Sequence, residues 1–153
     1  MSNQEIKKYI LEFISIMGLE VTDVTEEILE APQDTPLFTI QTQDAQRLLG
    51  RDGGGFQALN HIITRAVSQK DPEAQRFVVD VNGYYKESLE RIKQKALFAA
   101  ERARSSKEPI ELEPMNAFER LIVHSLFPDG GDIKTHSEGV GFERKIFIVY
   151  KKS

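Results

Sequence analysis

A glycine-rich break between two helical patterns constrains the fold of this chain more than any other feature of its sequence. The stretch Gly50-Arg51-Asp52-Gly53-Gly54-Gly55 contains four glycines in six residues, and a helix tolerates glycine poorly in its interior. A short helical pattern over Gln43 to Leu49 precedes the break, and apolar residues at helical steps from Phe56 to Val67 follow it. The glycines therefore connect two predicted helices.

The segments around this break alternate between helix and strand patterns. Apolar residues from Ile6 to Met17 predict a helix over about 3–17, which ends before Gly18. The β-branched stretches Val21–Thr25 and Leu37–Thr42 predict two antiparallel strands joined by a turn that contains two prolines, and 76–83 predicts a third strand. The predicted order through residue 83 is α-β-β-α-α-β.

The rest of the chain predicts a long helix and a smaller unit. Apolar residues step by three and four from Tyr85 to Ala103, which predicts a helix from Tyr84 to about Ser106. Its narrow apolar stripe is typical of a helix that packs on its own domain, with a homodimer as the alternative. After Pro109 we expect a short strand near 110–112, a helix over about 115–127 and strands near 132–137 and 144–151.

Composition excludes several classes of protein. The 153 residues include no cysteine and only three scattered histidines, so we expect no disulfide, no metal site and no cofactor. No apolar run reaches the roughly 18–20 residues that a membrane-spanning helix needs, and the polar N-terminus lacks the features of a signal peptide. We therefore expect a cytoplasmic protein that does not insert into a membrane.

Charge is distributed unevenly along the chain. The net charge of −4 argues against a polycation that coats nucleic acid. Residues 50–107 nevertheless carry a net charge of +4, whereas 1–49 carry −6 and 108–153 carry −2. The middle third is the expected anion-facing part of the chain, although a solvated helix surface would give the same count.

The glycine-rich break offers a binding site for phosphate. Glycines leave backbone N–H groups accessible, and the helix that follows adds the positive end of its dipole. The break lacks the Gly-Lys-Ser/Thr of a nucleoside-triphosphate loop, and it follows a helix, unlike a dinucleotide fingerprint. A Gly-x-x-Gly loop at 50–53, in an α-β-β-α-α-β order, resembles the bacterial KH domain over residues 3–83. That loop binds about four unpaired nucleotides in such domains.

The resemblance to KH domains implies roles for individual residues. The RNA-binding residues predicted in this unit are Arg47, Gly50, Arg51, Asp52, Gly53 and Gly54. Asp52 departs from the pattern, because the middle positions of such loops are commonly basic and a carboxylate repels phosphate. Ile40, Leu48 and Leu49 are candidate groove residues, but their amphipathic pattern favours the core.

A second polar group lies on the helix predicted over 115–127. Asn116, Arg120 and His124 are spaced four apart, so they share one side of the helix, which we expect to be exposed. Leu121 and Ile122 fall on the opposite side. An Arg and a His one turn apart suit phosphate or a stacked base.

The residues around this group resemble a known module, the R-three-H domain, which binds single-stranded nucleic acid and is named for its Arg-x-x-x-His signature. The resemblance is carried by Leu112-Glu113-Pro114-Met115-Asn116-x-x-Glu119-Arg120-x-x-x-His124, then by Ser137-Glu138-Gly139 and Arg144. A KH domain, a long helix and such a module together are similar to the Jag (SpoIIIJ-associated) family of bacterial RNA-binding proteins. The chain is thus expected to be α+β, with a KH domain over 1–83, a connecting helix over 84–107 and an R-three-H domain over 108–153.

This family resemblance implies that both units bind single-stranded RNA, through Asn116, Arg120, His124 and Arg144 in the second unit. It also implies a role in post-transcriptional regulation or in control of the cell envelope, cell elongation and cell shape, and a small separate KH-domain protein as partner. Single-stranded DNA stays open as a further ligand. Many members carry an additional N-terminal domain, whereas this sequence starts almost at the first KH helix.

Two other functions compete with RNA binding. No paired carboxylates, activated nucleophile or metal-ligand cluster has a compelling spacing, so we expect no enzyme. A metal-free nuclease that uses His124 and His136 as acid and base is the enzymatic alternative. The net negative charge and Asp52 favour a third function, a protein-interaction adaptor.

Overall fold

The computed structural model describes residues 1–30, 34–50 and 54–152. This part of the chain divides after Lys86 into two compact units. Both units mix helices with a small sheet, which confirms the α+β class. The helix from Tyr84 to Ser106 begins in the first unit and continues into the second. The predicted limits at 83 and 107, which treat this helix as a separate segment, stay a prediction.

The elements of the first unit follow the predicted α-β-β-α-α-β order. They are α1 (Asn3–Ile16), β1 (Asp23–Leu29), β2 (Thr35–Gln41), α2 (Ala45–Leu49), α3 (Gly54–Lys70) and β3 (Val78–Val81), after which α4 (Tyr84–Ser106) begins. Strand β2 is central, antiparallel to β1 and parallel to β3. A parallel neighbour requires a crossover, and α2 and α3 provide it.

The prediction for the first two strands was wrong at their boundaries. Strand β1 begins two residues later than predicted and extends to Leu29, and β2 begins at Thr35. Pro36, which we assigned to the turn, pairs with Ile28 inside the ladder. A proline is accommodated there because it lies at the start of the strand.

The core of the first unit lies between the sheet and the helices α1 and α3. Helix α1 contributes Ile6, Ile10 and Ile14, which lie four residues apart and are at most 1% exposed. The open edge of β3 is covered by the Asn60 side chain, whose Oδ1 accepts the Val79 N–H at 2.8 Å and whose Nδ2 donates to the Val79 carbonyl at 2.6 Å. Backbone groups of this edge strand are thereby satisfied.

A buried carboxylate marks the junction between β3 and α4. Asp80 is 0% exposed, and its Oδ1 accepts the N–H of Val81 at 2.6 Å and of Tyr85 at 2.8 Å. Burial raises the pKa of Asp80, although the N–H groups at the start of the helix oppose that effect. The side chain fixes the point at which the helix begins.

The second unit packs two helices on one face of an antiparallel sheet. After α4 its elements are β4 (Ile110–Glu111), α5 (Ala117–Ser125), β5 (Ile133–Glu138), a 3-10 turn (Gly141–Glu143) and β6 (Lys145–Tyr150). The strands are ordered β4-β6-β5. The core joins alanines of the α4 stripe to branched residues of α5 and the sheet. Its buried members are Ala96, Ala99, Ala100, Ala103, Val123, Ile133, Ile146 and Ile148.

Small side chains on α4 explain this packing, because alanine lets a helix approach a sheet closely.

The helix α5 is shorter than the predicted 115–127, and Leu121, which we placed on its inner side, is 48% exposed. None of the helices in the described part of the chain is long and apolar enough to span a membrane.

Candidate functional site

Asn116 directly precedes the helix α5 and caps it. Its side-chain oxygen accepts the Glu119 N–H at 2.9 Å, and the Glu119 carboxylate accepts the Asn116 N–H at 2.8 Å. This reciprocal pair is a capping box, which satisfies two backbone donors of the first turn. Asn116 therefore has a structural role, in addition to the RNA contact that the sequence predicts.

Arg120 lies one turn further along α5 and is half-buried. Its Nη1 donates to the Met115 carbonyl at 2.6 Å, which fixes the direction of the guanidinium group. Among the residues that the structure describes, Arg120 has no second hydrogen-bond partner, so the rest of its donor fork is available to a ligand.

His124 is also half-buried, and both of its ring nitrogens face hydroxyl groups of β5. Nδ1 lies 2.6 Å from Thr135 Oγ1, and Nε2 lies 3.2 Å from Ser137 Oγ. Burial lowers the pKa of His124, and the positive charges of Arg120 and Arg144 lower it further. The imidazole is thus neutral at pH 7. The expectation that Arg120 and His124 lie on an exposed face was wrong, because both side chains are half-buried and His124 packs against β5.

Arg144, which lies between the 3-10 turn and β6, is the third charged or titratable residue near Arg120 and His124. Its carbonyl accepts the Met115 N–H at 3.2 Å, and its Nη1 donates to the Gly139 carbonyl at 2.8 Å. Met115 therefore connects Arg120 to Arg144 through its carbonyl and its N–H. The structure brings together Arg120, His124 and Arg144, three of the residues predicted from the sequence, and we call this group the Arg-His cluster.

His136 does not belong to the Arg-His cluster. Residues alternate between the two faces of a strand, so the contact of His124 with Thr135 and Ser137 places His136 on the opposite face of the sheet. There its ring stacks on Phe147, with centroids 5.4 Å apart and planes at 9°. A nuclease that uses His124 and His136 together would need both rings at one phosphate, and this arrangement separates them.

The glycine-rich break lies in the first unit, between α2 and α3. Gly50 ends α2 with φ of 72°, a conformation that favours glycine, and α3 begins at Gly54. Arg51, Asp52 and Gly53 lie outside the described residues, so their predicted contacts stay predictions.

Side chains next to this break divide between surface and core. Arg47 is exposed, and its guanidinium lies 3.9 Å from the Asp44 carboxylate. Ile40 and Leu48 are buried in the core of the unit, and Leu49 packs against it in part. This confirms the interpretation of Ile40 and Leu48 as core residues, in preference to groove residues.

Sequence reasoning missed the role of Gly55. A Cβ at this position would lie 2.1 Å from the Leu48 carbonyl oxygen and 2.7 Å from the Leu49 carbonyl carbon. Gly55 therefore lets the start of α3 approach the end of α2. A run of three glycines in the sequence gives no signal that distinguishes this position from its neighbours.

Comparison with known proteins assigns the second unit. Residues 87–150 match the R-three-H domain family. The matched segment contains α4 from Glu87 onward and the whole Arg-His cluster. The described residues contain no group of three or more His, Asp or Glu side chains arranged to hold a metal ion.

The similarity to individual proteins extends over both units. RNA-binding protein KhpB of Bacillus subtilis (strain 168) is 29% identical over 151 residues, which are 97% of this chain and 71% of that protein. RNA-binding protein KhpB of Clostridium symbiosum is 23% identical over 95% of this chain and 64% of its own length. This chain is therefore related to RNA-binding proteins. Each of these proteins is longer than the segment that it shares with this chain.

Proposed function

We propose that this protein binds single-stranded RNA and that the Arg-His cluster contacts the sugar–phosphate backbone. The observation that carries the proposal is the pair of arginines, Arg120 and Arg144, whose charges act on a neutral imidazole held by hydroxyl groups, within a segment that matches the R-three-H domain family. The two relatives described above are named as RNA-binding proteins, which supports the same ligand.

The chemistry of the Arg-His cluster suits a phosphodiester. A guanidinium donates two parallel N–H groups to one phosphate, and Arg120 and Arg144 are held in place by backbone carbonyls. The neutral His124, whose two ring nitrogens lie against Thr135 and Ser137, adds a ring face on which a base can stack. A bound phosphate would oppose the nearby positive charges and raise the pKa of His124, so binding is expected to strengthen as the pH falls through the titration of this ring.

We propose that the first unit is a KH domain and that its Gly-x-x-Gly loop forms a second RNA contact. Support comes from the α-β-β-α-α-β order, from Gly50 with a positive φ at the end of α2 and from the α3 N-terminus at Gly54. The exposed Arg47 lies on α2, close to the loop in sequence. In this proposal the loop from Gly50 through Gly53 to Gly54 brings the backbone close to the phosphates, and Arg51 provides the second cation.

Further parts of the proposal depend on the sequence and on the family resemblance, and not on the geometry of the site. They are a role in post-transcriptional regulation or in control of the cell envelope and cell elongation, a location in the bacterial cytoplasm, and a small KH-domain protein as partner. Binding of single-stranded DNA and a homodimer remain alternatives within the same proposal. The adaptor function has its own support in the net charge of −4 and in Asp52.

A salt titration with matched variants tests RNA binding. The affinity of the full chain for a fluorescein-labelled single-stranded octanucleotide would be measured by anisotropy at several salt concentrations. Arg120→Ala should weaken binding about 5- to 150-fold and reduce the salt slope by about one. Arg102, an exposed residue of α4 in the same unit, provides the control, because Arg102→Ala removes the same charge outside the Arg-His cluster.

The outcomes separate the proposed functions. Equal losses of affinity in Arg120→Ala and Arg102→Ala would show that RNA binding depends only on nonspecific charge. That result would contradict a binding site at the Arg-His cluster. No binding at low salt would contradict RNA binding and favour the adaptor. Gly53→Asp tests the KH contact separately: it should weaken binding while the circular dichroism spectrum stays unchanged. An unchanged affinity in this variant would contradict only the role of the loop.

A further inference from the structure

The turn between β5 and β6 exposes the largest apolar side chain that is fully open to solvent in the described residues. Phe142 is 100% exposed, and Val140 beside it is 89% exposed. Single exposed apolar residues are common, but a fully solvated aromatic ring gains more than most side chains when a flat partner covers it. The surroundings of the ring indicate which partner fits.

The backbone of this turn is constrained by hydrogen bonds and by close packing. Gly139 and Gly141 have φ of 99° and 63°, and the Arg144 N–H donates to the Gly141 carbonyl at 3.3 Å. The Arg144 guanidinium holds the Gly139 carbonyl at 2.8 Å. A Cβ at Gly139 would lie 3.1 Å from the Glu143 carbonyl oxygen, so the turn is also tightly packed. A ring presented by such a turn loses little conformational freedom when a ligand binds.

The same turn is joined to the Arg-His cluster by a short chain of hydrogen bonds. Arg120 donates to the Met115 carbonyl, the Met115 N–H donates to the Arg144 carbonyl, and Arg144 donates to the Gly139 carbonyl. Phe142 lies two residues before Arg144 in sequence. The turn that carries Phe142 is thus linked by hydrogen bonds to the two cations of the Arg-His cluster.

Charge in the turn distinguishes between possible partners. Glu143 lies within the turn, and Glu138 ends the strand that leads into it. These carboxylates disfavour an anionic membrane as the surface that covers Phe142. A nucleobase is uncharged and flat, so it can cover the Phe142 ring without repulsion from the carboxylates. The phosphate of the same nucleotide can then reach the cations of the Arg-His cluster.

We propose that Phe142 is a stacking platform for one unpaired base of the strand whose phosphates the Arg-His cluster binds. This inference rests on the proposed RNA binding and adds the contact that selects single strands over duplexes. Stacking on an aromatic ring requires a base that is not paired or covered by its neighbours, and it accepts all four bases.

The absence of tryptophan from the sequence allows a direct test. Phe142→Trp introduces one tryptophan at the platform, and Phe98→Trp introduces one at another exposed position of the same unit, where Phe98 is 66% exposed. During titration of the full chain with oligouridylate, tryptophan emission of Phe142→Trp should be quenched and should saturate together with the anisotropy of the labelled RNA. Emission of Phe98→Trp should not change.

A second measurement separates stacking from charge. Phe142→Ala should lower the affinity for oligouridylate about tenfold and leave the affinity for an abasic oligonucleotide of the same length unchanged. Phe98→Ala should change neither. Circular dichroism confirms that each variant is folded.

The possible results show which of the two proposals, the stacking platform or RNA binding itself, is wrong. RNA binding by anisotropy without quenching of Phe142→Trp, or an equal loss of affinity for the abasic strand, overturns the platform and leaves the proposed RNA binding intact. No binding of RNA by the unaltered chain overturns both proposals. A shift of Phe142→Trp emission with phosphatidylcholine vesicles and none with RNA overturns the platform in favour of a lipid surface.

Discussion

Replacing Gly55 by alanine should push α3 away from α2. The added Cβ would lie 2.1 Å from the Leu48 carbonyl oxygen, 2.7 Å from the Leu49 carbonyl carbon and 2.9 Å from the Leu48 carbonyl carbon. Favourable contacts between carbon atoms begin at about 3.5 Å. All three neighbours are main-chain atoms, so no side-chain rotation relieves the clash and the helices must separate by about 1 Å.

The magnitude follows from two opposing effects. Overpacking costs about 1–3 kcal/mol, and the upper end applies here because Leu48 is 4% exposed and anchored in the core. Alanine offsets up to about 1 kcal/mol of this through its better helix propensity. We therefore expect the free energy of unfolding of the first unit to fall by about 2 kcal/mol. RNA affinity should fall as well, because the loop spans the two helix ends that move.

Urea unfolding followed by tyrosine fluorescence measures this change. Three of the four tyrosines lie in the first unit, namely Tyr9, Tyr84 and Tyr85. Gln57→Ala, at an exposed position of α3, provides the control and should shift the free energy by no more than about 0.5 kcal/mol. A Gly55→Ala variant as stable as the unaltered chain would show that α2 and α3 do not approach each other this closely.

Three further predictions concern stability. Asp80 has a raised pKa, so the stability it contributes is complete below the unfolded pKa of about 3.9 and is lost as the pH rises through the folded pKa. Asp80→Asn should therefore gain stability relative to the unaltered chain from pH 4 to pH 7 in urea titrations, and a constant difference would contradict the burial effect. Asp132, whose carboxylate accepts Arg104 Nε at 2.7 Å and Nη2 at 3.0 Å, has a lowered pKa. Asp132→Asn should be less stable at pH 7 by thermal unfolding, with a difference that disappears as the pH falls through the folded pKa; a difference that persists in acid would argue against the ion pair. Asn116→Ala should lower the stability of the second unit by about 1 kcal/mol, and Asn116→Asp, which keeps the capping oxygen, should restore it in the same denaturant assay; equal losses in both variants would refute the capping role.

Much of the fold could be predicted from the sequence because hydrophobic periodicity reports which face of an element is buried. Ile6 and Ile10 of α1 and the alanines at 96, 99 and 103 of α4 lie on buried faces where their spacing predicted them, whereas Met17, at the end of the apolar pattern that predicted α1, is 50% exposed. Periodicity fails where tertiary pairing competes with local preference. Pro36 pairs with Ile28 because the strand ladder extends past the predicted turn. Leu121 is exposed because α5 buries Ile122 and Val123 instead.

In the candidate site, too, local spacing could be predicted from the sequence and contacts between distant residues could not. Four-residue spacing was enough to place Arg120 and His124 on one side of a helix, and the surrounding residues identified the R-three-H domain that residues 87–150 match. The hydroxyls of Thr135 and Ser137 were not recognised as partners of His124, although alternation along β5 offered a signal. The predicted contacts of the Gly-x-x-Gly loop stay predictions.

The sequence by itself determined the element order, the buried faces and the Arg-x-x-x-His spacing, because these depend on the fixed geometry of helices and strands. Only the tertiary structure decided that the pKa of His124 is lowered, since this shift depends on burial and on the charges of Arg120 and of Arg144, a residue twenty positions away. The same holds for Gly55, whose lack of a side chain matters only because another helix end lies against it. Contacts between distant residues are set by packing, and local sequence patterns do not encode them.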